Sequence, residues 1–541
     1  MSLTQTWDAP SLLGSAQVIN SINTTPPPPG HRLHVARLDQ TQDWDLREVH
    51  EMAGRLAGAL LEAGLRRGDR VGVLAPNCLE WVLLDLAALR IGAVTVGFDP
   101  AKFGTDPALI PRYGLAVLFA DGAGGPAGGD DDLGGLDGLD DDLAGRVRPI
   151  TDARALAATA GAGPPEPVHY EPEDVTTLKL TSGSTGEPKG MTASVGSIDS
   201  GIAAVQEIFR HGERDNLFVF LPLAVLQQRY WVYSALHHGH DVTLSTYEAA
   251  FPTLRRIKPT VVMGVPGFFA TAKAYIERQV ARTGPETPPA EALAEGARRV
   301  FGDRVRYLWT GSAPAAGDVL RFFTDAGLPI YEGYGLNETC IVTKNHPGAH
   351  RPGSVGKVLP HKEVLIGDDG VVSVRSRFPV CGRYEFAPPG ASERMFPEPG
   401  LVRTGDLGEL DEDGYLYIRG RADDVIVLEN GRKVVVQPVE DHLRTSPAIG
   451  ECVLFCPTQT YLVAVVSPAS VPADTEAIAG QLARTNAAFG ADEQIRKMVV
   501  APEPFSTGNG LLTSQFKPLR ARIADRFHDE IHDPKGSLHV C

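Results

Sequence analysis

Apolar positions along the chain change period several times, and the changes outline its organisation. From Asp45 onward, Leu46, Val49, Met52, Leu56 and Leu60 recur at steps of three and four, which predicts an amphipathic helix with Gly64 as its C-cap. Arg70 to Leu74 reads as a short buried strand, Leu79 to Leu89 as a second helix and Gly92 to Val96 as the next strand. Such alternation predicts an α/β sheet with helices on its faces. A second α/β stretch runs from Val175 to about Gly333, with apolar strands near Leu217–Leu221, Val261–Met263 and Tyr307–Trp309. After Pro352 the period shortens. Lys362 to Ile366, Gly370 to Val374 and Leu416 to Ile418 read as strands joined by Asp-Gly turns, a small antiparallel region. From about Gly420, strands at Cys452–Cys456 and Leu462–Val466 and a helix near Thr475–Arg484 predict a small α+β domain. The tail up to about Gly30 ends in four prolines, Pro26 to Pro29, and reads as a stiff extended segment rather than a packed element.

Composition narrows the class. The 541 residues exceed one ordinary domain, and 43% hydrophobic with 22% charged residues is a globular mixture. No apolar run is long enough to span a membrane, and MSLTQTWDAP lacks a basic start followed by an apolar stretch. A net charge of −16 speaks against a nucleic-acid or anionic-membrane surface. Seven aspartates between Asp130 and Asp142 carry much of that excess. They sit in a Gly/Asp-rich stretch of about 121–145 with nothing to build a core, so a solvated disordered loop is expected there rather than a metal site. Six scattered cysteines without a CxxC pair predict neither structural zinc nor a disulfide framework, and a cytoplasmic enzyme is expected.

The densest chemical signal is Thr181-Ser182-Gly183-Ser184-Thr185-Gly186-Glu187-Pro188-Lys189-Gly190, directly after the apolar Leu178–Leu180. Glycines let backbone N–H groups approach an oxyanion, hydroxyls add donors, and Lys189 supplies a cation, so the segment reads as a phosphate cradle. It is not the Walker pattern. The segment resembles the phosphate loop of the adenylate-forming (AMP-binding) enzymes, a family that includes acyl-CoA synthetases, luciferases and the adenylation domains of peptide synthetases. Further segments follow in that family's order. Gly311-Ser312-Ala313-Pro314 is similar to its adenine-side loop. Glu332-Gly333-Tyr334-Gly335-Leu336-Asn337-Glu338-Thr339 is similar to its nucleotide and magnesium motif, Arg403-Thr404-Gly405-Asp406 to its ribose motif, and Gly420-Arg421-Ala422-Asp423-Asp424 to its hinge. Gly510 to Lys517 resembles the segment that carries its C-terminal catalytic lysine.

The resemblance implies roles residue by residue. Tyr334 stacks on adenine, Glu338 holds Mg²⁺ against the phosphates of ATP, Asp406 accepts from the ribose hydroxyls, and Arg421 pairs with phosphate or ribose. Lys189, Asn337 and Lys517 act on the phosphates, and Val225, Gly264 and Val265 border the acid. It also implies a large N-terminal domain of α/β subdomains plus the antiparallel region, 1–419, and a small mobile α+β domain, 420–541, that swings about Asp423. The wording is nearest the long-chain acyl-CoA synthetases, but with departures. Val225 stands where that subgroup often has a histidine near the incoming carboxylate, Val195 where a second histidine is common, and Asn337 where the family has threonine. Gln227, Gln228, Arg229 and Tyr230 follow Val225 and either wall a polar acid site or form the exposed face of a helix.

Three readings follow. The first is an ATP-dependent, AMP- and pyrophosphate-forming ligase that joins a carboxylic acid to coenzyme A, with long-chain fatty acids as poor substrates. In the second, a diazotase, the same adenylation activates nitrite, which condenses with an aromatic amine. The third is a non-catalytic nucleotide-binding relative, which Lys189, Glu338, Asp406, Arg421 and Lys517 all disfavour by their presence. The sequence gives no oligomeric state.

Overall fold

The computed structural model describes residues 17–122, 145–161, 163–182, 188–282, 290–430, 432–458, 460–513, 517–533 and 538–540. The Gly/Asp-rich stretch at 123–144 and the loop residues Gly183 to Glu187 lie outside them.

Two large sheets carry most of the chain. The six-stranded sheet runs Val147–Pro149, Leu115–Ala120, Arg70–Leu74, Val94–Phe98, Val175–Ser182, Pro188–Ser194, parallel except for its last pair. The nine-stranded sheet is parallel through Ile330–Tyr334, Tyr307–Thr310, Val261–Gly264, Asn216–Val219, Asp241–Leu244 and Arg32–Ala36, with antiparallel additions at both edges. Val71 and Val73 of the first sheet and Leu217, Val219, Val261 and Trp309 of the second belong to one continuous core. Helices Leu46–Glu62, Leu79–Ile91, Val195–Phe209 and Leu226–His238 contribute to the same core. Two of these are buried on nearly every side, since a helix enclosed by packed elements has no solvent face to mark. Eleven of the thirteen residues of Leu79–Ile91 are buried, and ten of the thirteen of Leu226–His238.

The sequence-predicted strands and helices occur close to where periodicity places them. Asp45 caps the helix Leu46–Glu62 by accepting from the N–H of Arg47, and Gly64 follows the C-cap with φ +99°. The antiparallel region has four strands, Lys362–Ile366, Val371–Ser376, Leu401–Leu410 and Leu416–Arg421, one more than expected. The last of these strands, Leu416–Arg421, includes Gly420 and Arg421. Beyond it a smaller domain has its own cores on both faces of a sheet formed by Ile449–Phe455, Leu462–Pro468, Ile495–Val500 and Leu538–Val540.

The N-terminal expectation needs correction. Gln17–Thr24 is a helix that buries Val18, Ile19 and Ile22. Its cap is supplied from 180 residues away: the Asp199 carboxylate accepts the N–H of Ile19 at 3.0 Å and faces those of Gln17 and Val18. A cap so distant in sequence leaves no local signal.

Candidate active site

Thr181, Gly311 and Tyr334 stand at the C-terminal ends of parallel strands, the usual place for ligands in open α/β sheets, while Asp406 and Arg421 come from the antiparallel region. Thr181 is buried near the end of Val175–Ser182, and Lys189 lies on the antiparallel neighbour Pro188–Ser194. The Lys189 ammonium stands 4.8 Å from the centre of the Tyr384 ring. The Tyr384 hydroxyl donates to Glu338 Oε1 at 2.6 Å, and Glu338 is 8% exposed. Glu338 next to that hydroxyl raises the Tyr384 pKa, burial being the larger cause. Tyr384 was not singled out in the sequence, where nothing in its surroundings marks it.

A second cluster surrounds Asp406. Its Oδ2 accepts the Tyr334 hydroxyl at 2.6 Å and its Oδ1 accepts Arg421 Nη1 at 3.0 Å. Arg421 also donates to the Thr404 carbonyl at 3.0 Å and reaches Asp423 at 3.3 Å. Asp423 itself is exposed in the turn Ala422–Asp424. Lys517 joins this group from the small domain, its charge interacting with Asp406 and Arg421. Its side chain keeps solvent access, but crowding by protein lowers its pKa, with Arg421 adding to the effect and Asp406 opposing it.

The backbone around the nucleotide motif is tight. A Cβ on Gly335 would fall 1.9 Å from the Cys340 carbonyl oxygen, and one on Gly333 would meet Lys344 Cδ at 2.8 Å. Thr339 Oγ1 accepts the Leu336 N–H at 2.9 Å and so closes the Leu336–Thr339 turn, leaving Asn337 exposed. Ser312, between Gly311 and Ala313-Pro314, holds φ +71°. A Cβ on Gly311 would sit 3.2 Å from the Gly333 carbonyl oxygen, so the adenine-side loop packs on the nucleotide motif. Glu332 accepts weakly from the Ala315 N–H at 3.4 Å, and burial pushes its carboxyl up to about 7.

Val225 precedes the first turn of Leu226–His238, as its N-cap. Asn77, also missed in the sequence, holds the loop before it: its amide donates to the Leu221 and Ser245 carbonyls and its oxygen accepts the Leu223 N–H. The polar residues after Val225 face inward, which removes the exposed-face alternative. Arg229 is 1% exposed and donates to Asp85 Oδ1 and Thr177 Oγ1, both at 3.0 Å. Tyr233 donates to Asp85 Oδ2 at 2.5 Å, and the guanidinium lies 5.2 Å from the Trp81 ring. Gln227 Oε1 accepts from the ammonium of Lys179 at 2.9 Å. Lys179 is 3% exposed, and burial lowers its pKa to about 8. A single lysine between Leu178 and Leu180 was the sequence signal for it, since alternation turns that one position to the opposite face. Gly264 and Val265 join the strand Val261–Gly264 to the helix Pro266–Ala281, and Val265 packs in the separate Phe218–Phe268 core.

Among the described residues no group of three or more His, Cys, Asp or Glu side chains could hold a metal, and no helix is long and apolar enough to cross a membrane. Glu338 as a lone carboxylate suits Mg²⁺, which keeps most of its ligands as water and substrate phosphate.

Residues 27–375 match the model of the AMP-binding enzymes, and 423–534 that of the AMP-binding enzyme C-terminal domain. The chain is 30% identical over 555 residues to the long-chain-fatty-acid–CoA ligase FadD15 of Mycobacterium bovis, covering 87% of this chain and 89% of that protein. It is 24% identical to the human long-chain-fatty-acid–CoA ligase 1, over 93% and 84% of the two chains. The anthranilate CoA ligase AuaEII in complex with anthranoyl-AMP shares the fold with a TM-score of 0.75 at 20% identity, over 96% and 98%. The o-succinylbenzoate CoA synthetase of Bacillus subtilis, in complex with ATP and magnesium, does so with 0.71 at 21%, over 92% and 97%. With both family models matched in order along the chain, the chain belongs to the AMP-binding enzymes, the adenylate-forming acid–CoA ligases.

Proposed function

We propose that this ligase activates a small or polar acid with ATP and passes the acyl group to coenzyme A. The observation that carries the small-acid reading is the buried polar network beneath Leu226–His238. There Asp85 accepts from both Arg229 and Tyr233, and the guanidinium lies against the Trp81 ring. A long alkyl chain gains about 0.8 kcal/mol per buried CH₂ only where an apolar channel receives it. Opening one here would strip a buried arginine of its partners.

In this reading the two clusters divide the work. Lys189 and the loop from Thr181 to Gly186 take the phosphates, with Glu338 as the residue that would hold Mg²⁺, whose charge offsets that of the phosphates. Asp406 trades its bonds from Tyr334 and Arg421 for the ribose hydroxyls, and Lys517 brings a cation to the attacked phosphate. Asp423, exposed and just past the last antiparallel strand, is the position about which the small domain turns. We place the enzyme in the cytoplasm, where ATP is available and where the free state of Cys78, Cys340, Cys381, Cys452 and Cys456 is at home.

The test is pyrophosphate release over acetate, benzoate, palmitate and nitrite, with and without coenzyme A or an arylamine. Short or aryl acids with coenzyme A should exceed palmitate. Palmitate as the best substrate would overturn the small-acid reading, and release that needs nitrite with an arylamine would favour the diazotase.

A further inference from the structure

Two cations are buried where the six-stranded sheet meets the helix Leu226–His238, and their surroundings differ. Arg229 is neutralised by Asp85, which also accepts from Tyr233. Lys179 has no such partner among the described residues. Its ammonium carries three N–H donors, and among the described residues its one hydrogen bond is to a neutral amide oxygen, Gln227 Oε1, at 2.9 Å. Glu338 is near enough to act on it electrostatically but lies in no ion pair with it, and its carboxylate is engaged by the Tyr384 hydroxyl. The other charges and thiols that act on Lys179 are Arg229, which repels it, and Cys340 and Cys381. A buried ammonium with donors unused among the described residues is a ready partner for an anion, and burial alone already lowers its pKa to about 8.

Position says which anion. Thr177, Lys179 and Thr181 share one face of the strand Val175–Ser182. Thr177 touches Arg229, and Thr181 opens the phosphate loop, so Lys179 lies between the buried network and the reacting phosphates. Gln227 is two residues beyond Val225, on the first turn of the helix that begins there. Through Gln227 the ammonium is tied to the first turn of the helix that Val225 caps, and Val225 itself is apolar and offers an oxyanion nothing.

We propose that Lys179, oriented by Gln227, binds the oxyanion of the incoming acid, a small carboxylate or nitrite, beside the phosphate loop. This rests on the adenylating-ligase reading above and adds to it the residue that selects the acid.

The experiment compares the full-length wild type with Lys179→Met, Lys179→Arg and Gln227→Leu. Three quantities are read: KM for acetate, benzoate and nitrite by pyrophosphate release, ATP affinity by calorimetry, and Tm. Binding of the same three acids in the presence of a non-hydrolysable ATP analogue is followed by tryptophan fluorescence. Lys179→Met should raise KM for the acid the wild type uses at least tenfold, leave ATP affinity within twofold, and leave Tm equal to or above wild type, because a buried unpaired charge is removed. Lys179→Arg should recover part of the loss, and Gln227→Leu should show a smaller rise in KM. Unchanged acid KM in Lys179→Met overturns the proposal. An equal loss of ATP affinity overturns it in favour of a phosphate ligand, and a fall in Tm of several degrees in favour of a structural lysine. If the wild type releases no pyrophosphate with any acid, yet binds one of them in a Lys179-dependent way, the ligase reading falls and the Lys179 site stands. Absence of saturable binding by all three acids overturns the site.

Discussion

Lys517 shows how far one residue's meaning depends on its neighbours. In sequence it is a lysine in a turn-rich segment, while in the fold its charge meets Asp406 and Arg421 across the cleft. Lys517→Ala should fold and bind ATP, since the side chain supports no core. Adenylate formation should drop by about 3–4 kcal/mol of transition-state stabilisation, a loss of two to three decades in kcat, read as pyrophosphate release at saturating ATP and acid. Asp199 offers a test of a different kind. Burial raises its pKa to about 7 despite the backbone N–H groups it accepts from the first helix. In the unfolded chain the same carboxyl ionises near pH 4. Below that value both states are protonated. Between about 4 and 7 only the unfolded state loses the proton, so this group's contribution falls as pH rises, and above 7 the loss is complete. Asp199→Asn should flatten the dependence of unfolding free energy on pH across that window. Urea titrations at pH 5 and pH 8 that change equally for variant and wild type would contradict this.

At the scale of elements, the helix Leu226–His238 carries the difference between a lipid channel and a polar site. Its burial on nearly all sides means that Arg229 must find its partners inside, and it finds Asp85 on the neighbouring helix Leu79–Ile91. Breaking a buried pair by removing one member leaves the other charge stranded, at about 3–5 kcal/mol. Asp85→Ala should therefore lower the unfolding free energy by that amount. The double substitution Asp85→Leu with Arg229→Met should recover most of it, because apolar side chains of similar size fill the same space without a charge. A denaturation series that finds the double variant as unstable as the single one would place the cost in packing instead.

For the molecule as a whole, the two family matches cover residues 27–375 and 423–534, and Lys517 of the second stretch interacts electrostatically with Asp406 and Arg421. The donor set contains one suitable carboxylate, Glu338, and among the described residues no cluster that could keep a metal in the absence of nucleotide. Metal should thus arrive with ATP. Protein purified in EDTA should keep its Tm, show no stoichiometric zinc by elemental analysis, and recover activity in proportion to added Mg²⁺. Full activity in excess EDTA would remove Glu338 from its proposed role.

Local order was legible wherever a short-range cause produces it. Period-three-and-four spacing predicted the helix Leu46–Glu62, a short apolar run the strand Arg70–Leu74, Asp45 a helix start, and the hydroxyls and glycines before Lys189 read as a phosphate loop. The order of the motifs along the chain was enough for the family. Other features hang on partners far away in sequence. The cap that turns the proline-flanked tail into a helix is Asp199, the residue that seats Lys189 and Glu338 is Tyr384, and the loop before Val225 is held by Asn77. Periodicity reports which face of a helix is apolar only when one face meets water, so it could not say that Gln227 and Arg229 point inward. That direction was settled by the second sheet closing over the helix, and with it the surroundings of two buried cations: Arg229 matched by Asp85, and Lys179 held by the neutral Gln227.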